Sequence, residues 1–249
     1  MELNVDESQV LEVARHWKAN EYYDRAEMQD WLDAFWSEGS VFRAMFRRLD
    51  PSCLVDLACG HGRHAARIMA DPGLQQPSRM ILIDINSENV ECCRSRFIAE
   101  RRIEVLQNNG MDFAPLKQNS VSAVFCFDAM VHFEYDCVVS YIRDAFRILR
   151  PNGRALFHHS NYTSPGSVWL YNPHGRNFMS RELFAHVAMR TGFQIVNQVV
   201  MDWGDGETRF PKLDCLSLIE KPSTASVRVS RPPLALRIRK ALSCLRQRE

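Results

Sequence analysis

The sequence has no long hydrophobic run. Among its 249 residues, no apolar stretch approaches the roughly 20 residues that a membrane-spanning helix needs. The first ten residues, MELNVDESQV, are acidic and lack the apolar segment of a secretory signal peptide. The chain also has no internal repeat and no low-complexity segment. We therefore expect a soluble, cytoplasmic protein with one α/β domain of ordinary size.

Cysteines at metal-binding or redox spacing are absent as well. The eight cysteines are scattered, mostly in apolar runs such as PSCLV and AVFCF, and none forms a C-x-x-C pair. In a domain of this size, scattered cysteines are more often buried thiols than disulfides or zinc ligands. His, Asp and Glu do not cluster at metal-ligand spacing, although Asp128, Glu134 and Asp136 are close in sequence. We therefore predict no metal site.

A broad excess of basic residues is missing too. The formal net charge is +1, but seven Arg or Lys and a single Glu lie from Thr224 onward, so a slightly acidic body precedes a basic tail. An acidic body argues against a nucleic-acid partner. Residues 230–249 form an apolar helical stripe flanked by arginines, which is typical of a helix that lies on anionic lipid. The alternatives for this segment are docking onto the protein itself, docking onto a subunit, and disorder. The oligomeric state stays open.

Strands and helices alternate along the chain. Residues 7–48 show the three-to-four spacing of apolar residues that indicates helices. Beyond them, continuous apolar strands between helical segments indicate a parallel sheet that is covered on both faces. The predicted strands are CLVDLA, RMILIDI, IEVLQNN, VSAVFCF, RALFHHS, FQIVNQVVMDW and LDCLSLIEK. The predicted fold class is α/β, a Rossmann-like, mostly parallel seven-stranded sheet with helices on both faces and an N-terminal helical cap.

The segment VDLACGHGRHAA contains a glycine turn directly after the first predicted strand. By its letters, Gly60 to Ala65 is G-x-G-x-x-A, the turn that cradles a dinucleotide pyrophosphate. However, Asp56 precedes the turn, and Asp84 and Asp112 follow the second and third strands, so three carboxylates gather at one edge of the sheet. Phosphates prefer bare amides, whereas three acids suit a ligand with positive centres. Asp84 alone does not discriminate, because a dinucleotide site also has an acid about 20 residues further on.

These features together resemble the class I S-adenosylmethionine-dependent methyltransferases over residues 50–221. The family's D-x-G-x-G-x-G turn appears as DLACGHG, with Ala58 in place of the first glycine. The run RILRPNGRALF matches the family's segment before the fifth strand, with Asn152 in place of one glycine. The resemblance implies S-adenosyl-L-methionine (SAM) as the cofactor. The cofactor-binding residues that it implies are Asp56, Ala58, Gly60, His61, Gly62, Asp84, Ile85, Met111, Asp112 and Phe127.

The resemblance also implies roles and boundaries. Asp84 would take the ribose hydroxyls, and Asp112 would meet the adenine amine. The chain would divide into an N-terminal helical cap (1–50), a SAM-binding methyltransferase domain (51–222) and a basic linker with an amphipathic C-terminal helix (223–249). In the cap, Tyr22 and Tyr23 belong to a segment that the family often uses as a lid over the cofactor.

Histidines are the candidates for a base. The sulfonium is already a strong electrophile, so the protein must mainly align the acceptor and, for a hydroxyl, accept a proton. His132 follows the fourth strand, where the family lines the methyl-transfer channel, and we assign it as the catalytic base, with packing as the alternative. His158 and His159 end the fifth strand, and strand alternation lets only one of them face the substrate.

A polar loop over residues 161–179 is long for a connection and rich in aromatic, Asn, His and Arg side chains, which is typical of a recognition loop. The pattern resembles bacterial methyltransferases that act on sugars of surface glycans. The predicted function is methylation of a hydroxyl on a small polar molecule, sugar or glycan. The alternatives are N-methylation of a small amine, an inactive scaffold or regulator with this fold, and a nicotinamide-dependent oxidoreductase. The predicted acceptor-binding residues are His158, His159, Tyr162, Asn172, His174 and Arg176.

Overall fold

The structure, a computed structural model, describes residues 7–17, 21–164, 172–204, 207 and 209–223. The helices are α1 (Glu7–Arg15), α2 (Glu21–Ala26), α3 (Gln29–Trp36), α4 (Val41–Phe46), α5 (Arg63–Ala70), α6 (Ser87–Arg96), α7 (Tyr135–Ile148) and α8 (Arg181–Thr191). The strands are β1 (Leu54–Leu57), β2 (Met80–Asp84), β3 (Ile103–Gln107), β4 (Val121–Cys126), β5 (Leu149–Ser160), β6 (Gln194–Trp203) and β7 (Phe210–Glu220). Two short 3-10 helices, Pro51–Cys53 and Met130–His132, lie before β1 and after β4.

The strands form one seven-stranded sheet in the order β3-β2-β1-β4-β5-β7-β6. β1 to β5 pair in parallel, and only β7 runs antiparallel to its neighbours, β5 and β6. From β1 the chain winds outward through β2 and β3 and then returns to the other side of β1 as β4. In open α/β sheets a ligand binds beyond the carboxyl ends of the strands where the order reverses in this way. The predicted Rossmann-like sheet is confirmed, and the expected ligand edge lies at the ends of β1 and β4.

Helices cover both faces of the sheet. Every residue of β1, β2 and β4 is buried, which is typical of strands that are packed on two sides. On one face, α7 and α8 bury Ile142 and Phe184 in the core. On the other face, α4 and α5 contribute Phe42 and Ile68 to a second core. The carboxyl ends of the central strands are therefore held in a rigid frame.

The N-terminal region is helical, as predicted, but it is divided into short helices. Ser40 begins α4 as a side-chain cap, because its hydroxyl oxygen accepts the Arg43 backbone N–H at 3.1 Å. Trp36, at the end of α3, is fully buried and donates its indole N–H to His64 Nδ1 at 3.1 Å. The later cap helices are thus packed into the core, whereas α1 and α2 lie nearer the ligand edge.

The fifth strand differs from its prediction. β5 begins at Leu149, before the Pro-Asn-Gly sequence that was expected to separate it from the helix. Asn152 takes a φ of +64°, and its N–H donates to the Lys221 carbonyl at 2.7 Å, so the turn residues remain paired with the chain beyond β7. The Pro-Asn-Gly sequence therefore forms an irregularity within the strand and does not end the element.

Two further findings concern the described ranges alone. No helix in them is long and apolar enough to cross a membrane. No group of three or more His, Cys, Asp or Glu side chains in them could hold a metal ion. The predicted lipid-binding segment, residues 230–249, lies outside the described residues.

Candidate functional site

The turn after β1 passes through three left-handed residues. Ala58, Gly60 and Gly62 have φ values of +56°, +55° and +80°. Glycine adopts this conformation freely, whereas a residue with a side chain is disfavoured by roughly 1–2 kcal/mol. The backbone of Ala58 is therefore strained, at a position where the class I methyltransferases that the chain resembles have glycine. A Cβ on Gly62 would lie 2.6 Å from the Phe97 ring, so this glycine allows α6 to pack against the turn.

Tyr23 of α2 covers the glycine turn. A Cβ added to Gly60 would lie 2.8 Å from Tyr23 Cε1. The same ring stacks on His61, with centroids 4.3 Å apart. The tyrosine hydroxyl accepts a hydrogen bond from Asn89 Nδ2 at 2.9 Å. The cap is thus fastened both to the turn and to α6.

Asp84, the last residue of β2, links the turn to α6. Its Oδ2 accepts the Gly60 N–H at 2.9 Å, and its Oδ1 accepts the Asn86 N–H at 2.9 Å and Asn89 Nδ2 at 3.1 Å. Burial raises the pKa of Asp84, and these hydrogen bonds oppose the rise. A carboxylate has about four acceptor positions, so one position on Oδ2 stays open to a ligand hydroxyl.

Asp56 lies behind the turn, within β1. Its Oδ2 is buried and has no hydrogen-bond partner in the described part of the chain. Burial raises the pKa of this carboxyl well above its usual range, and Arg63 opposes that rise. A buried carboxylate oxygen without a hydrogen-bond partner is unfavourable, and a positively charged ligand nearby would add to the compensation that Arg63 supplies.

A cavity lies between the cap and the carboxyl ends of β1, β2 and β4. Together with the open solvent at its mouth it comprises about 1060 Å³. Residues of α1 and α2 form its roof, and the glycine turn forms its floor. Of the predicted cofactor-binding residues, those that line the cavity are Ala58, Gly60, His61, Asp84, Ile85 and Phe127.

The other four predicted cofactor-binding residues are not part of this lining. Asp56 and Gly62 support the turn from behind. The Asp112 carboxylate accepts the Ala114 N–H at 2.8 Å and Asn109 Nδ2 at 3.1 Å, so it stabilises its own loop. In this segment Asn108 and Gly110, which sequence reasoning passed over, line the cavity instead. The adenine role assigned to Asp112, with Met111 beside it, stays a prediction.

Residues 54–153 match the family model of a methyltransferase domain. This segment begins at β1, contains the glycine turn and Asp84, and ends within β5. The chain contains a class I SAM-dependent methyltransferase domain. SAM is accordingly its cofactor.

Solved structures share the fold of this methyltransferase at low sequence identity. A SAM-dependent methyltransferase from Mesorhizobium loti is 16% identical, with a TM-score of 0.55 over 72% of this chain and 96% of that chain. A geranyl diphosphate methyltransferase in complex with SAM is 15% identical, with a TM-score of 0.55 over 72% of this chain and 83% of that chain. A [4+2]-cyclase, SpnF, is also 15% identical, with a TM-score of 0.57 over 73% and 79%. No curated protein matches the chain in sequence.

The residues at the carboxyl ends of β1 and β2 fit this cofactor. SAM has ribose hydroxyls, an ammonium and a sulfonium, and it has no phosphate. The open acceptor position on Asp84 suits a ribose hydroxyl, and the unpartnered Oδ2 of Asp56 suits a nearby positive centre. Ala58, Gly60 and His61 of the left-handed turn line the cavity, so the backbone there can lie close to a ligand. Asp84 and the turn would therefore hold the cofactor, and the cofactor supplies the electrophilic methyl group.

An ion-paired carboxylate lies one residue beyond Phe127, at the end of β4. Asp128 is buried, and its Oδ2 accepts hydrogen bonds from Arg63 Nη2 at 2.7 Å and from the Tyr22 hydroxyl at 2.5 Å. Its Oδ1 is buried and has no hydrogen-bond partner in the described part of the chain. Asp128, Arg63 and Tyr22 all line the cavity. Burial and then Asp128 raise the pKa of Tyr22, so its hydroxyl is a neutral donor.

His132, the predicted base, lines the cavity from the 3-10 helix after β4. Its Nδ1 lies 2.8 Å from the Gly175 carbonyl oxygen, so Nδ1 carries the proton and Nε2 the lone pair. Arg176 Nη1 lies 3.5 Å from that Nε2. Burial and then Arg176 lower the pKa of His132 to about 4. His132 is therefore a neutral imidazole at pH 7 and a weak base.

The two histidines at the end of β5 face opposite sides of the sheet. His158 stacks on Phe127 with centroids 4.6 Å apart, and its Nδ1 accepts the Asp128 backbone N–H at 3.1 Å. His159 stacks on Phe184, and its Nδ1 and Nε2 lie 2.8 Å from the Ser160 carbonyl and the Ser217 hydroxyl. The substrate role predicted for His159 is therefore corrected to a structural role in the opposite core.

The predicted recognition loop does not reach the cavity through its described polar residues. Arg176 forms a bidentate pair with the buried Asp214, at 2.8 and 2.7 Å, and lies 4.6 Å above the Trp203 ring. His174 packs on Trp17 with centroids 4.4 Å apart, so it touches the cavity wall from outside. Tyr162 and Asn172 do not line the cavity either. Residues 165–171 lie outside the described part of the chain.

Proposed function

We propose that this methyltransferase acts on a small molecule that enters the cavity, and not on a macromolecule. The roof is the observation that carries the proposal. α1 is fastened by Asn86 Nδ2, which donates to the Ala14 carbonyl at 3.1 Å, and α2 by the ion pair of Glu27 with Arg96. Tyr23 covers the glycine turn between them. A folded polymer would need an open face at this edge, whereas a small acceptor fits beneath the roof beside the cofactor.

Two acceptor atoms are chemically suitable. The sequence favoured a hydroxyl oxygen, with His132 removing the proton. A base is most effective when its pKa lies near the working pH, and the pKa of His132 is lowered to about 4. An aliphatic amine is mostly protonated at pH 7, but once it has lost that proton to water its nitrogen carries a lone pair and needs no base during transfer. This property of His132 favours N-methylation as the second candidate, whereas the described polar residues of the loop add no support for a sugar or glycan acceptor.

Transfer of a radiolabelled methyl group from SAM tests the proposal. A cell extract is divided by ultrafiltration into metabolites and macromolecules, and each fraction is incubated with labelled SAM and the protein. We expect label in the metabolite fraction alone, and we expect the Asp84→Ala variant to reduce it strongly. Label confined to protein, nucleic acid or another polymer would overturn the proposal.

A further inference from the structure

We propose that Asp128 binds the methyl acceptor and that the acceptor's reacting group is a primary or secondary amine. This inference rests on the proposed function, since it requires a small acceptor in the cavity. It concerns a residue to which neither the family motif nor the sequence analysis assigned a binding role.

The hydrogen bonds of Asp128 leave one oxygen for a ligand. Arg63 and Tyr22 both donate to Oδ2, which fixes the carboxylate and leaves the buried Oδ1 without a partner among the described residues. The guanidinium of Arg63 compensates the buried charge of Asp128. A buried acceptor of this kind is unfavourable unless a donor reaches it. The missing partner must therefore present an N–H or O–H group.

The surrounding wall favours a group that becomes positively charged. Trp17 lies beside Tyr22 and His132, with ring centroids 5.8 and 4.9 Å away, and all three residues line the cavity. Aromatic faces attract cations, and a neighbouring carboxylate adds to that attraction. Aromatic rings beside an ionised carboxylate therefore suit an amine that is converted into an ammonium.

The transfer places charge where these groups can stabilise it. A bound ammonium first loses one proton to water. The neutral amine nitrogen then attacks the methyl carbon, a C–N bond forms, and the S–CH3 bond breaks with its electron pair remaining on sulfur. The positive charge thus moves from sulfur to nitrogen, and the ammonium product later loses one proton to water. A carboxylate beside the nitrogen stabilises the charge that develops during transfer. A hydroxyl would instead require a proton acceptor during transfer, and His132 is a weak one.

Selective blocking of amines separates the two acceptor chemistries. A metabolite extract is treated with the N-hydroxysuccinimide ester of acetic acid, which acetylates amines in water and spares alcohols, and its labelling by SAM is compared with that of untreated extract. We expect acetylation to abolish labelling. Equal labelling of both extracts would overturn the amine while leaving the proposed function intact. No labelled metabolite in either extract would overturn both.

Asp128→Asn tests the residue itself. Asparagine tolerates the φ of +57° at this position, so the backbone should be preserved. We expect unchanged SAM affinity by calorimetry and a loss of about 100-fold in the rate of methyl transfer. Asp33→Asn, an exposed position on α3, is the matched control and should transfer normally. A wild-type rate in Asp128→Asn would overturn the inference, and so would a parallel loss of SAM affinity, which would place Asp128 in the cofactor site.

Discussion

Replacing Gly60 by alanine tests whether the turn must approach the cofactor beneath Tyr23. At a φ of +55° alanine is disfavoured by roughly 1–2 kcal/mol, and the reduced freedom of its unfolded chain offsets about 0.4–1 kcal/mol of that. The added Cβ would lie 2.8 Å from Tyr23 Cε1, so the ring must move. The left-handed strain alone should lower the free energy of unfolding by about 1 kcal/mol, before any contact of the displaced ring is counted.

The displacement of Tyr23 should also weaken SAM binding, because Tyr23 and Gly60 both line the cavity. A displaced Tyr23 loses its stack on His61 and its hydrogen bond from Asn89. Each contact is worth about 1 kcal/mol and exists without SAM, so their loss lowers the free energy of unfolding by about a further 2 kcal/mol. Calorimetric titration with SAM measures the affinity, and thermal unfolding measures the stability. Gly39→Ala is the matched control, because no atom lies within 4 Å of its added Cβ. Wild-type SAM affinity in Gly60→Ala would refute the close approach.

Three further substitutions test the site and its support. Ala58→Gly should raise the free energy of unfolding by about 0.5–1 kcal/mol, because glycine relieves the left-handed strain, and a less stable variant in chemical denaturation would contradict this. Burial raises the pKa of Asp56 in the folded protein. The free energy of unfolding of the SAM-free wild type should therefore fall as the pH rises from about 4 to the pKa of Asp56 in the folded state. Asp56→Asn should lack this fall when unfolding is measured against pH. Asp214→Asn should lower stability by roughly 3–5 kcal/mol because it leaves Arg176 without its buried counter-ion, and a loss below 1 kcal/mol in urea titration would show that the pair contributes little.

The sheet and the turn could be predicted from local patterns. Continuous apolar runs identify buried parallel strands whatever else the chain contains, and the order of strands and helices then limits the topology. Asp84 was located because it closes such a run directly. Its position at the carboxyl end of β2 follows from the strand boundary alone.

The acceptor side of the cavity depends on contacts between distant segments. Tyr22 and Asp128 are 106 residues apart, and only the folded chain shows that they share a hydrogen bond with each other and not with solvent. Strand alternation established that His158 and His159 face opposite ways, but it could not say which one packs on Phe127 behind the cavity wall. Arg176 lies in a segment with the composition of a recognition loop. Its partner, however, is Asp214, a buried carboxylate on β7. Sequence composition does not reveal which polar side chains are already paired.

Calorimetric titration of the wild type and of Asp84→Ala with SAM tests the central claim most directly, with NADH as the competing ligand. We predict that the wild type binds SAM and not NADH. Each hydrogen bond from a hydroxyl to the charged Asp84 carboxylate is worth about 1.5–3 kcal/mol, so Asp84→Ala should weaken SAM binding roughly 10-fold to 150-fold with its circular dichroism unchanged. A wild type that binds NADH and not SAM, or an Asp84→Ala variant with wild-type SAM affinity, would contradict the assignment of this edge as a SAM site.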